Sequence, residues 1–469
     1  MREHRRLLRG GMVLSGGSAL SQVLSLVRNL IVARLVTPED FGVAVTFAVT
    51  LSILEAAFAH GFEKLLIQDS EGEDETLQSM LQTILVGRGF LVAALIFFSA
   101  SWIAHLFSIP DATFAYQLLA LVPLIRGFAH LDVKRVQREL RFAPDLGVQL
   151  LSQLVGVVVA ASYAWVSGNY WAMLWGILAQ VTVQTVLTHV VAVRRFRLGW
   201  RQEYTRRVLG FSWPLMLNGL VLILSSQGDR LLVGARLSVA DLAIYSAAAM
   251  LLTAGLMFLA KVAGELSLPW LSAVKHDKDR YLRRHSVVGA AVATASVAVF
   301  GPLAVIGMDI TRLIFGARYG GPDALVAWLA LAMGLRFFRV WPIVTAMSFG
   351  DTRNLMVSNL VRGLGVFGAY FLIISGAGLV GVAAAAAIAE GLATFVAFFR
   401  LRRVARGMLA PSGFWLVFVA VSFAASMAVA LMVDAQAARI AYTVSVVPVS
   451  LGVMLWFEPR LLGIFRRGG

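Results

Sequence analysis

Residues Arg28-Asn29-Leu30-Ile31-Val32-Ala33-Arg34-Leu35 read Arg-x-Leu-x-x-Ala-Arg-Leu, and Arg230-Leu231-Leu232-Val233-Gly234-Ala235-Arg236-Leu237 read the same 202 positions later. Each copy closes an apolar run. Each is followed by an acid and a new apolar run, Glu39-Asp40-Phe41-Gly42 after the first and Asp241-Leu242-Ala243 after the second, with one residue fewer. A repeat of this period is half a protein, too long for a solenoid unit. In an apolar chain, repeats of this size point to a transporter whose two halves move around a site near the bilayer midplane. Arg28 and Arg230 hold matched positions in the two halves.

The composition agrees. With 59% hydrophobic and 14% charged residues over 469 positions, and a mean hydropathy of +0.79, too little polar surface is available to cover a soluble fold. A net charge of +15 would suggest a nucleic-acid partner in a soluble protein. Here the basic residues crowd into short connectors between apolar runs, as membrane topology requires, so no nucleic acid is expected. Cysteine is absent, which excludes a disulfide framework, thiol chemistry and thiolate metal sites.

The first apolar run, 12–33, follows Arg2, Arg5, Arg6 and Arg9. It is longer than the core of a secretory signal and reads as an uncleaved spanning helix. Further runs of crossing length lie near 41–62, 81–107, 114–131, 146–167, 172–193, 208–234, 241–266, 286–308, 324–350, 355–375, 380–399, 413–433 and 440–457. The expected fold is an all-α polytopic membrane protein of about fourteen transmembrane helices. Assigning alternate connectors to the cytoplasm puts 28 Lys and Arg on that side and 5 on the other. Both termini are therefore expected in the cytoplasm.

Eight cations fall inside the apolar runs: Arg28, Arg88, Arg126, Arg230, Lys261, Arg336, Arg339 and Arg362. A charge at the centre of a spanning helix costs roughly 2.5–3.5 kcal/mol, so such residues face the bundle interior or water. Arg88, Arg126, Lys261 and Arg362 lie near the cytoplasmic ends of their runs and are expected to snorkel, with Lys261 one turn from Glu265. Arg336 and Arg339 sit mid-run, one turn apart. Arg28 ends a stripe of Ser18, Ser21, Gln22, Ser25 and Asn29 at helical spacing. The matching run holds Asn218, Ser225, Ser226, Gln227, Asp229 and Arg230, with Pro214 as a place to bend. Substrate-binding cations are thus expected at Arg28, Arg230, Arg336 and Arg339.

The acids inside the runs are Glu55, Asp229, Glu265 and Glu390. Of these Glu55, Asp229 and Glu390 are candidates for coupling to a proton or another ion. Eight cations against four acids predict a net positive interior. Such an interior suits a phosphate or diphosphate, because arginine presents a planar fork of donors.

Other apparent motifs carry less. Gly363-Leu364-Gly365-Val366-Phe367-Gly368 matches a dinucleotide fingerprint but lies inside an apolar helix without a preceding strand, so helix packing is expected there. Asp69 to Glu75 is an acidic run without the spacing of a calcium loop, expected as a solvated turn. His60, His130 and His189 lack metal-ligand spacing. Asn169-Tyr170-Trp171 and Trp175 read as an interfacial belt. No phosphate-binding loop is present, and no cofactor or metal is expected.

The stretch Arg28 to Gly42, together with Gln137-Arg138-Glu139-Leu140-Arg141-Phe142, Tyr170-Trp171-Ala172, and Trp213 to Gly219 leading to Asp229-Arg230-Leu231-Leu232-Val233-Gly234, resembles Wzx-type polysaccharide flippases. These belong to the superfamily shared with MATE-type multidrug exporters and the lipid II flippase. The resemblance implies two pseudo-symmetric six-helix lobes, at 1–200 and 201–405, with two further helices and a cytoplasmic tail in 406–469. It also implies helices 1, 2, 7 and 8 lining a cavity, and a polyprenyl-diphosphate-linked oligosaccharide as cargo. That cargo would move between leaflets of a bacterial inner membrane for O-antigen, capsule or exopolysaccharide assembly, with a polymerase and chain-length machinery as partners. A MATE-type cation exporter and a membrane polymerase or glycosyltransferase are the alternatives. The basic interior argues against the first. The short outer connectors, the longest near 309–323 with only Asp309 and Asp323, argue against the second.

Overall fold

The computed structural model describes residues 2–58, 62–68, 72–139, 141–404 and 412–458, and no strand occurs among them. The helices run in the order α1 (Arg2–Leu35), α2 (Pro38–Ala57), α3 (Phe62–Gln68), α4 (Glu75–Leu106), α5 (Thr113–Leu119), α6 (Leu121–Gly127), α7 (Asp132–Arg135), α8 (Ala143–Ser167), α9 (Trp171–Val191) and α10 (Gln202–Arg236). They continue with α11 (Val239–Ser272), α12 (Lys278–Phe315), α13 (Asp323–Phe338), α14 (Val340–Ser348), α15 (Arg353–Gly363), α16 (Gly365–Ile374), α17 (Gly378–Val404), α18 (Ser412–Met432) and α19 (Gln436–Phe457).

Among the described residues, eleven helices are long and apolar enough to cross a membrane, or twelve if the bent pair Pro110–Gly127 and Asp132–Glu139, at 54°, is one span. The protein is a multi-pass membrane protein, and the expected runs at 12–33 and 208–234 are not among the helices so counted. The runs at 12–33 and 208–234 fall in α1 and α10, of 34 and 35 residues, many of whose side chains lie outside the described residues. The expected run at 114–131 is broken into α5, α6 and the turn before α7. The tail beyond residue 458 and His60 also lie outside the described residues.

The chain forms two compact units: Met1–Gln227 with Ser238–Ala243, and Gly228–Leu237 with Ile244–Gly469. In the first, α8 packs on α9 and α1 packs on α8. Small residues make the α8–α9 crossing close: a Cβ on Gly156 would lie 3.0 Å from the Gly176 carbonyl, and one on Gly176 would lie 2.6 Å from the Ala160 Cβ.

The acid that follows each copy of the repeated phrase lies in the first turn of a helix and is bound by the hydroxyl residue that caps it. Thr37 Oγ1 accepts from the Asp40 amide at 3.2 Å and donates to the Asp40 carboxylate at 2.7 Å. Ser238 does the same with Asp241, at 3.0 and 2.7 Å. These caps satisfy amide donors that the first turn of a helix leaves open. Asp40 also accepts the Tyr170 amide at 3.1 Å, which ties the start of α2 to the Tyr170-Trp171 turn. The starts of the two helices that follow the phrases pack closely within the first unit, since a Cβ on Gly42 would lie 1.8 Å from the Val239 carbonyl.

Within the acidic run Glu73 and Glu75 are exposed, as a solvated turn requires, and Glu73 and Asp74 also make contacts that fix it. Glu73 receives Arg135 at 3.0 Å and Arg194 at 3.1 Å. Asp74 caps α4 by accepting the Thr76 amide at 2.8 Å and also accepts the Tyr204 hydroxyl at 2.7 Å. Asp69, Ser70 and Glu71 lie outside the described residues.

In the second unit, α12 packs against α13, α18 and α19, while α17 packs against α13, α15 and α16. The glycine motif serves helix packing, as expected. A Cβ on Gly365 would lie 2.6 Å from the Ala389 Cβ, and one on Gly368 would lie 3.7 Å from that of Ala385. That contact brings α16 onto α17 one residue from Glu390.

Candidate functional site

Three arginines of the second unit converge on one acid. Arg339 Nη2 lies 3.1 Å from Glu390 Oε2, and Arg336 Nε and Arg362 Nη1 each lie 3.8 Å from Glu390 Oε1. The helices α13, α15 and α17 deliver them. The Arg339, Arg362 and Glu390 side chains are 3%, 7% and 6% exposed, whereas Arg336 is 28% exposed. Arg339 is pinned further, donating through Nη1 to Ser358 Oγ and Asn359 Oδ1 at 3.1 Å each. The Nε donors of Arg339 and Arg362 are buried without a partner.

Three guanidiniums pair with one carboxylate, and Asp229 of α10 acts on Arg362 as a second negative charge, so positive charge stays in excess. A single glutamate cannot neutralise that set, and the cost of burying unbalanced charge is high. An anion approaching Arg336, the exposed member, meets an electropositive face backed by two fixed guanidiniums.

Of the sequence expectations, Arg336 and Arg339 are brought together, and Arg362 joins them. Arg362 had been expected to snorkel. It is buried instead because α15 turns it onto α17, where Glu390 supplies the counter-charge. Ser358, Asn359 and Arg362 share 3–4 spacing on α15, a signal that sequence reasoning missed. Glu390, a candidate coupling carboxylate, stands at the centre of the arginines.

Arg230 and Asp229 are adjacent in α10. Asp229 accepts the Arg230 backbone amide at 2.8 Å and the hydroxyl of Tyr245 at 2.6 Å, so both carboxylate oxygens are engaged. The Asn218 and Pro214 side chains of the same helix lie outside the described residues.

Arg28, in the first unit, has different surroundings. Its Nη1 donates to Gln180 Oε1 at 2.7 Å, and Gln180 in turn donates to Gln153 at 3.2 Å. Its Nε is buried without a partner. Among the described residues no acid forms an ion pair with Arg28, and a neutral amide is its acceptor. The α8–α9 glycine crossing sets this amide chain, because Gly156 faces Gln180. Gln180 and Gln153 were not singled out from sequence.

Glu55 also belongs to the first unit. Arg126 Nη1 lies 2.5 Å from its carboxylate, and Arg88 Nη2 donates to its backbone carbonyl at 2.9 Å. These two arginines, expected to snorkel, turn to α2 because Glu55 is within reach there. His130 and His189 meet edge to face at 5.3 Å beside Phe196, a packing contact. No group suited to hold a metal ion occurs among the described residues.

A family described as "Polysaccharide biosynthesis protein" matches residues 31–321. The chain is 24% identical over 330 residues to the succinoglycan biosynthesis transport protein ExoT of Rhizobium meliloti (strain 1021), covering 68% of this chain and 65% of that one. It is 22% identical over 312 residues to an uncharacterized membrane protein in the cps region of Klebsiella pneumoniae, covering 64% of each. The chain thus spans slightly less than two thirds of the length of these relatives. The structure is similar to the lipid II flippase MurJ in an inward closed conformation, with TM-score 0.72 and 13% identity over 96% of this chain and 100% of that one. An inward-facing MATE-family multidrug resistance transporter follows at TM-score 0.62 and 15% identity, over 84% and 96%. These likenesses show the MurJ and MATE fold, the one that the Wzx-type resemblance implies. With that family matched across more than half of the chain, the protein belongs to the family of polysaccharide biosynthesis proteins.

Proposed function

We propose that the protein is a transporter, not an enzyme, and that it moves a polyprenyl-diphosphate-linked oligosaccharide from the cytoplasmic to the periplasmic leaflet. The observation that carries this reading is the excess of positive charge: three arginines around Glu390, and Arg28 on a neutral amide. A diphosphate is a dianionic partner that fits such donors. The named transport role of one relative and the flippase fold support it.

In this reading Arg28, Arg230, Arg336 and Arg339 hold the anion while the sugars stay in water and the polyprenyl tail stays in lipid. The two halves alternate in exposing the site. The halves correspond to the lobes 1–200 and 201–405, followed by 406–469. Glu55 and Asp229 are the carboxylates proposed for ion coupling. Glu390 is the third, and its contacts favour a fixed counter-charge for the arginines. The proposed setting is a bacterial inner membrane with both termini cytoplasmic. The product would be O-antigen, capsule or exopolysaccharide, with a polymerase and chain-length proteins acting downstream.

The test is transport into proteoliposomes of a fluorescent polyprenyl-diphosphate oligosaccharide. Arg336→Ala and Arg28→Ala are each expected to reduce the initial rate at least tenfold, with insertion and melting temperature near native. Unchanged rates in both variants would remove the proposed site. Resistance to cationic drugs in cells expressing the protein, without lipid transport, would replace this reading with a drug exporter.

A further inference from the structure

The surroundings of Arg28 are set by the crossing of α8 and α9 in the first unit. Gln153 and Gly156 stand one turn apart on α8, and Gly176 and Gln180 one turn apart on α9, so each helix turns an amide and a glycine to the other. The glycine makes room for the amide. A Cβ on Gly156 would lie 2.8 Å from the Gln180 Cβ and 3.3 Å from Gln180 Oε1, the atom that accepts Arg28. A side chain at 156 would push that oxygen off its place.

The direction of the hydrogen bonds starts from Arg28. A guanidinium has donors and no acceptor, so Gln180 must show it the amide oxygen. The Gln180 amide nitrogen is then left to donate, and it donates to Gln153 Oε1 at 3.2 Å. Gln153 is itself buried. Both ends of the Gln180 amide are thus held, and the guanidinium is aimed by an acceptor that is itself fixed. Holding a binding group in place before its ligand arrives lowers the cost of binding.

The acceptor is neutral, although a charged one of the same size exists. Glutamate has the reach and the oxygen of glutamine, and it would give Arg28 a stronger, charge-assisted bond. The second unit uses that alternative, where Glu390 stands among Arg336, Arg339 and Arg362. A carboxylate at 180 would also cancel the charge that an incoming anion is to meet. The amide gives Arg28 a direction and adds no negative charge, and Arg28 Nε is a buried donor without a partner.

We infer that Gln180 is a positioning residue of the transport site. It aims Arg28 at an anion and, being neutral, leaves Arg28 able to bind one, while Gln153 fixes the Gln180 amide. This inference rests on the proposed transport reading, in which Arg28 holds the anionic group of the cargo.

The experiment measures KM and kcat for a fluorescent polyprenyl-diphosphate oligosaccharide in proteoliposomes, with melting temperatures, for the native protein, Gln180→Glu, Gln153→Glu and Arg28→Ala. Gln180→Glu keeps the shape and the acceptor oxygen. It is expected to melt at or above the native temperature while KM rises at least tenfold and kcat changes less than twofold. An acceptor that served stability alone would leave KM native in this variant. Gln153→Glu places the charge one residue further from Arg28 and is expected to raise KM about threefold, and it decides the matter if Gln180→Glu does not insert. Native KM in both glutamate variants, with Arg28→Ala impaired, would overturn the role of Gln180 and leave the transport reading standing. Native transport in Arg28→Ala would overturn the place of Arg28 in that reading, and the role of Gln180 with it.

Discussion

The two halves of the chain carry their buried arginines in opposite ways. In the second unit Arg336, Arg339 and Arg362 share Glu390, and Arg339 is held by two neutral acceptors besides. In the first, Arg28 donates to the Gln180 amide, and among the described residues no acid pairs with it. The cluster is a charged core element arranged around its acid, whereas Arg28 is held by a neutral acceptor. The comparison teaches that an excess of positive charge is built either by crowding arginines on too few acids or by giving an arginine none.

The largest expected effect tests the crowded side. Glu390→Leu leaves three guanidiniums without a counter-charge, and breaking a buried pair in this way costs about 3–5 kcal/mol. Thermal unfolding in detergent is expected to show that loss, and native stability in this variant would end the contrast. On the sparse side, Gln180→Leu removes the acceptor of Arg28. A hydrogen bond to a charged group contributes about 1.5–3 kcal/mol, so the same melting assay should show a smaller loss. A loss as large as that of Glu390→Leu would mean that Arg28 is as embedded as the cluster.

Asn359→Ala removes one of three partners of Arg339 and is expected to cost about 1 kcal/mol, with transport of lipid-linked cargo retained. A complete loss of transport would move Asn359 from support of the cluster to contact with cargo. The smallest effect concerns Asp74, outside the membrane spans. The Tyr204 hydroxyl, with the Thr76 amide, holds its carboxyl below the usual range. A depressed pKa contributes stability that is present above the unfolded-state value of about 3.9 and is lost as pH falls through the folded value. Tyr204→Phe should therefore lower the melting temperature slightly at pH 7, and the difference from native should shrink as pH falls below about 3.9. A difference that persists unchanged in acid would show that the hydroxyl acts through packing alone.

The membrane class, most run boundaries and the placing of Arg28, Arg336 and Arg339 within apolar helices were legible in the sequence because hydropathy and the cost of a buried charge are local. The acids after the two repeated phrases were visible as well, though not their bonds to the capping Thr37 and Ser238 of α2 and α11. Partners were not legible. Glu390 lies 51 residues from Arg339, and Gln180 lies 152 from Arg28, and nothing in local spacing joins them. Arg362 reads as a helix-end cation in the chain and becomes a buried one only when α15 packs on α17. Sequence by itself determined that positive charge would be carried into an apolar protein, since each residue's transfer cost is its own. Tertiary structure decided which charges are compensated, because ion pairing depends on distances that only the packed helices set.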